Sequence, residues 1–527
     1  MGDKKVIISK SGEKFAVDGK FFQELGVVPP DGAFEHGGVK YYPLKYTLRN
    51  ACLAATHGYP IESPVHHKYT WVGKFTPLNH QKETSAFFTY NKRGYCHNGL
   101  GSGKTMSALW AADYMLKEGI ISRILILGPL STLPDAWERT LFNHMPHIRY
   151  HLVHGAGKKA LIDYPHEFKN VQVFIANHEF VRSSDRGVFV RKDLLPLDLV
   201  IVDEGASFRA LGTEKSKGLK QLLKDVPYVW WMTATPTPNS PVDAWMQADI
   251  MGTRQGMSYA NFRDKTMIRV SEHTWVPRPN AAVHVKQILS PSICFRTEDC
   301  IDLPGITYQN RAATMTTDQK KVYTELSKNA YVELMNGGVV SALNEGIKAN
   351  KLLQVACGIL YTDDSETAEV AAVDKLHILS EILDEADTPV IVFAPYKSVV
   401  KHLAAKLHKH NPEVILGDVN IRERKRIFDA VQDGSCRLLI AHPRTMSHGV
   451  TLTASACIVW YAPVYSNETY EQANGRIYRQ GQNKHCNVIH ITSCEVEREM
   501  YYRLEHRQKM QGAVLDALRS VVKIIPK

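Results

Sequence analysis

Seven residues, GLGSGKT at positions 99–105, carry the clearest chemistry in the chain. Glycines at 99, 101 and 103 remove side chains, so backbone N–H groups can turn inward on an anion. A run with helical spacing follows, Met106, Leu109, Trp110 and Tyr114. The positive end of that helix favours the same anion. Gly101, Ser102 and Gly103 then line a phosphate cradle, Lys104 reaches the β- and γ-phosphates, and the Thr105 hydroxyl holds Mg²⁺. The common form of such a loop carries glycine at position 98, where this chain has Asn98. A second constellation is Asp203-Glu204, which closes the apolar run LVIV at 199–202. One carboxylate there can hold Mg²⁺ opposite Thr105, and the next can orient an attacking water. The pair of motifs predicts hydrolysis of a nucleoside triphosphate.

The elements that must position these groups are legible as apolar runs. ILIL at 124–127, VQVFIA at 171–176, LVIV at 199–202 and VWWM at 229–232 read as strands with helical patterns between them. Uniformly apolar strands imply a parallel sheet covered on both faces, and such sheets bind ligands beyond their carboxyl ends. A second series, VIVF at 390–393, RLLI at 437–440, CIVW at 457–460 and VIHI at 488–491, predicts a second parallel α/β domain without a phosphate loop. Residues 310–385 read mainly as helices. Before the first sheet, residues 1–70 form a separate segment with short strands at 6–8 and 15–17 around the turn Ser11-Gly12. Its lysines and tyrosines interleave at Lys40-Tyr41-Tyr42, Lys45-Tyr46 and His66-His67-Lys68-Tyr69, with Arg49 between. Rings that stack on bases and cations that meet phosphate would make a nucleic-acid surface. A small α+β domain with half-buried tyrosines would show the same composition. The division predicted is 1–70, an accessory and DNA-binding module; 71–290, the nucleotide-binding domain; 291–385, a helical connection; and 386–527, the second domain with a C-terminal helix.

The whole chain is compatible with this. It has 527 residues, 44% hydrophobic and 22% charged, which is a globular composition for two to four domains. A net charge of +10 suits a nucleic-acid partner. Nine scattered cysteines, with no Cys-x-x-Cys pair, predict neither a zinc site nor a disulfide framework, and hence a reducing, cytoplasmic setting. The N-terminus lacks the apolar core of a signal peptide, and no run is long enough to span a bilayer.

Several strings resemble the Swi/Snf branch of superfamily II helicases over residues 75–510. Val202-Asp203-Glu204-Gly205-Ala206 resembles the DExx box, and MTATPTPN at 232–239 resembles "TGTPxxN". QANGRIYRQGQ at 472–482 resembles "QAxxRxxRxGQ", the most specific of the matches. Phe295-Arg296-Thr297 with Leu303-Pro304, Asp374-Lys375-Leu376, and Pro77-Leu78-Asn79-His80-Gln81 resemble the linking element, the entry to the second lobe and the glutamine motif. The resemblance implies two RecA-like parallel-sheet lobes with a small α+β N-terminal module and helical insertions between the lobes. It implies ATP and Mg²⁺ as cofactors and duplex or forked DNA as the track. Gln81 would read adenine, Gln472 and Gly449 would border the nucleotide, and Arg476 and Arg479, three apart on one helix face, would act as arginine fingers on the γ-phosphate. Thr233 and Thr235 would link the catalytic floor to the track. The loops Gly128-Pro129-Leu130 and Asn177-His178-Glu179 would give it backbone N–H contacts, unless they are simply turns. The chain departs from the pattern at Ala206, where a histidine is frequent, which leaves room for other groups to couple the ATP and DNA sites. It departs again at 442–452 and at Tyr465-Ser466-Asn467, which marks a distant member or a viral or mobile-element branch. The N-terminal segment, with Phe15, Phe21-Phe22 and Tyr41-Tyr42-Pro43-Leu44, resembles the HepA-related module of annealing helicases, and FTPLNHQ at 75–81 and CHNGLGSGKT at 96–105 resemble that subgroup too, which points to fork remodelling or strand annealing. An RNA-directed helicase and the motor subunit of a restriction or defence system are the alternatives.

Overall fold

Runs such as LVIV and VIVF have no polar face, and each is buried on both sides of a parallel sheet. The computed structural model describes residues 4–130, 133–182, 189, 195–270, 275–300, 302–336, 350–361, 367–369, 372–446 and 450–506. The chain divides into two compact units, with the main boundary between Arg296 and Thr297.

The first unit holds a seven-stranded, all-parallel sheet in the order Ser292–Ile293, Arg93–Cys96, Tyr228–Met232, Leu199–Val202, Ile124–Gly128, Val173–Asn177 and Tyr150–Val153. The helix Lys104–Lys117 packs on one face. Met106, Leu109, Trp110 and Tyr114 are all buried in it, as their spacing predicts. The strands Arg93–Cys96 and Tyr150–Val153 carry no apolar run in the sequence; glycine and arginine interrupt one, tyrosine and histidine the other.

The N-terminal segment is a four-stranded antiparallel sheet, ordered Ile7–Ile8, Lys14–Asp18, Val39–Lys45 and Phe34–His36, with the helices Gly19–Leu25 and Leu48–Thr56. Its own core gathers Phe15, Val17, Phe21, Phe22, Tyr46 and Tyr59. It belongs to the first unit. Leu48, Val65 and Tyr69 share a core with Trp110, and Ser63 and Thr89 join their hydroxyls at 2.7 Å. The tyrosines divide accordingly. Tyr41, Tyr46 and Tyr69 are buried, and the Tyr46 hydroxyl donates to the Glu62 carbonyl at 2.7 Å. Their rings are packing groups, whereas Lys40, Lys45, Arg49 and Lys68 stay exposed.

The second unit holds a six-stranded parallel sheet, ordered Ile306–Ala312, Cys486–Thr492, Cys457–Trp460, Val390–Phe393, Leu438–Ala441 and Glu413–Ile415. The connecting region therefore contributes a strand as well as the helices Thr317–Asn336 and Val373–Glu385. Lys375, in the string that resembles the entry to the second lobe, is buried and paired with Glu497 of the helix Glu495–Glu505. A buried ion pair of this kind is costly to break from one side, which ties the two helices together. The nine cysteines are free thiols. Among the described residues, no helix is long and apolar enough to cross a membrane.

Candidate active site

The carboxyl ends of neighbouring strands in the first sheet bring the predicted residues together. Arg93–Cys96 runs into the glycine-rich loop, Leu199–Val202 into Asp203, and Tyr228–Met232, lying between those two strands, into Thr233. The loop takes left-handed backbone at Gly101 (φ 74°) and Gly103 (φ 80°). At Gly103 the absence of a side chain is also a packing requirement, because a Cβ there would stand 2.2 Å from Gln81 Nε2. The helix Lys104–Lys117 starts without a side-chain cap, so its first N–H groups remain available to an anion. Lys104 Nζ donates to the carbonyls of Asn98 at 2.8 Å and Gly99 at 3.0 Å. An ammonium has three N–H donors, and the third can meet a phosphate oxygen. Ser102 Oγ is buried with no partner among the described residues.

Asn98 explains its own departure from the common pattern. It is buried; its Nδ2 donates to Thr84 Oγ1 at 2.8 Å and its Oδ1 accepts from Phe295 N at 3.0 Å. The amide thus sews the loop to the helix Asn79–Tyr90 and to the segment beyond the edge strand. Gln81 is a brace as well. Its Oε1 accepts from Leu78 N at 3.0 Å, and its Nε2 donates to the Ser102 carbonyl at 3.2 Å. His80 Nε2 reaches the same carbonyl at 2.9 Å, a loop contact the sequence does not announce.

Asp203 is buried, which pushes its carboxyl above the ordinary carboxylate range. A hydrogen bond from Trp137, the charge of Lys104 and the Glu204 N–H pull it back. Glu204 takes left-handed backbone (φ 49°, ψ 47°), a strained conformation at a position expected to do chemistry. The following Gly205 cannot be replaced, since a Cβ would meet Trp231 Nε1 at 2.2 Å. Trp231 Nε1 in turn donates to Gln247 Oε1 at 3.0 Å. Thr105 lies half-buried in the first helical turn. A threonine hydroxyl and a carboxylate are hard oxygen ligands and fit Mg²⁺. The Thr235 N–H donates to Thr233 Oγ1 at 3.3 Å, which folds that loop over.

In the second unit the arginines are not on a helix. The helix Asn467–Asn474 stops at Gly475, and Arg476 and Arg479 follow in turns. They still converge, because Arg476 Nη1 at 3.2 Å and Arg479 Nη1 at 2.8 Å both donate to the Val450 carbonyl. Gln472 is buried, and its carbonyl accepts from Arg476 Nε at 2.9 Å. Gln482, the last residue of that string, is a clamp: its Nε2 donates to the carbonyls of Ser455 and Ile477 at 2.9 and 3.1 Å. Gly449 lies outside the described residues.

Residues 80–358 match the description "SNF2-related domain", and residues 374–481 match "Helicase conserved C-terminal domain". The chain belongs to the SNF2-related family. Protein p41 of Acyrthosiphon pisum secondary endosymbiont phage 1 is 24% identical, with 84% of this chain and 99% of that protein covered. The ATP-dependent DNA helicase DDM1 of Arabidopsis thaliana is 23% identical over 79% of this chain, and the match spans 58% of the plant protein. The SWI2/SNF2 ATPase core of Sulfolobus solfataricus, solved in complex with dsDNA, is 19% identical, with 86% of this chain and 96% of that one covered and a TM-score of 0.40. As an SNF2-related chain with a helicase C-terminal domain, this protein is an ATP-hydrolysing enzyme of the helicase type.

Proposed function

We propose that this protein is an ATP-driven motor that moves along duplex or branched DNA. The observation that carries the reading is the convergence of the GLGSGKT loop and Asp203-Glu204 on the carboxyl edge of one parallel sheet. The basic balance of the chain (+10) and the SNF2-related match support DNA as the track.

The chain's own groups divide the work. Backbone N–H groups of residues 101–105 and the Lys104 ammonium bind the triphosphate. Thr105 and Asp203 would hold Mg²⁺, which neutralises charge on the phosphates when bound. Glu204 orients the attacking water. Gln81 holds the loop and borders the adenine, and Gln472 supports the arginine pair. Arg476 and Arg479 give the transition state its positive charge, worth roughly 10³–10⁵ in rate where such groups have been measured. Fork remodelling or strand annealing is the finer role, supported by the resemblance of the N-terminal segment to the HepA-related module.

The test is ATP turnover by the full chain across duplex, forked and single-stranded DNA and RNA, with Lys104→Ala as the control. DNA-stimulated hydrolysis that disappears in Lys104→Ala is expected. Stimulation by RNA alone, or turnover retained without Lys104, overturns the reading.

A further inference from the structure

The backbone of Asp203 is held by a side chain from another strand. His178 follows the strand Val173–Asn177, and its Nε2 lies 2.8 Å from the Asp203 carbonyl oxygen. A carbonyl only accepts, so Nε2 carries the ring proton and Nδ1 is the acceptor. Ser207 Oγ stands 3.0 Å from Nδ1 and donates to it. Lys215 Nζ stands 3.5 Å from the same hydroxyl and 4.5 Å above the ring of Phe208. That ring packs edge-on against His178 at 4.9 Å. Ser207 is exposed, whereas His178 is buried, so the chain of contacts runs from the surface to the backbone of the catalytic floor. Its outer end lies in the field of Arg182 and Arg209, with Glu179 opposing them. Ala206, between Glu204 and Ser207, is buried and its side chain has no polar atom to offer.

We propose that Lys215, Ser207 and His178 form a relay that couples a backbone phosphate of the nucleic-acid track, met at Lys215, to the carbonyl of Asp203. The relay rests on the motor reading above. A phosphate that draws the ammonium away removes a donor from Ser207 Oγ. The hydroxyl then donates less strongly to Nδ1, and the Nε2–H bond to Asp203 changes with it, because hydrogen bonds in a chain polarise one another. Glu204, next in sequence and already held in left-handed backbone, responds to a small shift of the peptide that precedes it. His178 and Ser207 are positioning residues, and neither needs to touch the nucleotide.

The readout is the ratio of turnover with duplex DNA to turnover without it, measured on the full chain. Ser207→Ala, Lys215→Ala and His178→Gln should each lower the ratio about fivefold or more, the size of an ordinary coupling between sites. His178→Gln keeps a donor for the Asp203 carbonyl and loses the Nδ1 acceptor. Ser207→Thr keeps the hydroxyl and should restore the ratio, which a purely steric effect at 207 would not do. Because Ser207 and Lys215 act through one path, the double alanine variant should be no worse than the worse single. Ratios unchanged in the single variants, or losses that multiply in the double, overturn the relay and leave the motor reading standing. A wild-type chain whose turnover ignores DNA overturns both.

Discussion

Trp137 Nε1 donates to Asp203 Oδ2 at 2.9 Å, and both residues are buried. An indole N–H has no other role than to donate. This bond therefore lowers the carboxyl of Asp203 against the burial that raises it. Trp137→Phe keeps most of the ring and removes the donor. The acid limb of the ATPase profile should move to higher pH, with turnover lost more at mildly acidic pH than at alkaline pH. Leaving the carboxylate one donor short should also destabilise the fold by about 1–3 kcal/mol. Superimposable pH profiles for the two proteins would show that Asp203 is not the group that sets the limb.

Asn98→Gly restores the commoner loop pattern and should nevertheless weaken the protein. It deletes the acceptor for Phe295 N and the donor to Thr84 Oγ1. The Phe295 N–H is only half-buried, so leaving it without its partner costs toward the low end of about 1–3 kcal/mol. The melting temperature should fall by several degrees and ATP affinity should drop. Unchanged melting would mean the amide contributes nothing to holding the loop.

His97 gives the fold a dependence on acid. Burial pushes its imidazole down to about 4, and its Nδ1 lies 3.3 Å from the Thr233 carbonyl. The unfolded chain takes up the proton near 6.5. A group depressed on folding contributes stability that is present above the unfolded value and is lost as pH falls toward the folded one. Stability should decline between about pH 6.5 and pH 4, by roughly 2–3 kcal/mol from this group. Denaturant melts of His97→Gln across that window should be flatter than wild type by about this amount.

Arg479→Ala should leave ATP binding within about threefold and reduce hydrolysis by roughly 10³, because the charge acts in the transition state. Nucleotide titration and single-turnover hydrolysis separate the two quantities. Equal loss of affinity and turnover would assign Arg479 to ground-state binding.

Deleting residues 1–70 removes Leu48, Val65 and Tyr69 from the core they share with Trp110. Each buried side chain of this kind stabilises by about 1.5–3 kcal/mol. The truncated chain should melt well below wild type or aggregate, rather than behave as an intact motor. A truncation that melts like the full chain would show that the segment is a separable module.

Sequence alone determined the two parallel sheets, because runs such as LVIV and VIVF leave no polar face and fit only a layer covered on both sides. It also determined the catalytic candidates of the first unit. Glycine spacing and a carboxylate at a strand end are local patterns with a local meaning, and the structure sets Lys104, Thr105 and Asp203 beyond the carboxyl ends of two strands of one sheet, with the strand Tyr228–Met232 between them. The edge strand Tyr150–Val153 was hidden because a strand paired on one side can carry tyrosine and histidine without exposing a core, and Arg93–Cys96, paired on both sides, was hidden because its four residues hold an arginine and a glycine and form no apolar run. Tertiary structure alone decided which polar residues are braces. Asn98, Gln81 and Gln482 bond to partners far along the chain or to their own loops, and no spacing reports that. It also decided that the rings of Tyr41, Tyr46 and Tyr69 are packing groups and that Arg476 and Arg479 meet through turns rather than on a helix face. In each case the deciding quantity is burial, which depends on what the rest of the chain lays over a residue and is therefore invisible in the residue's own neighbourhood of sequence.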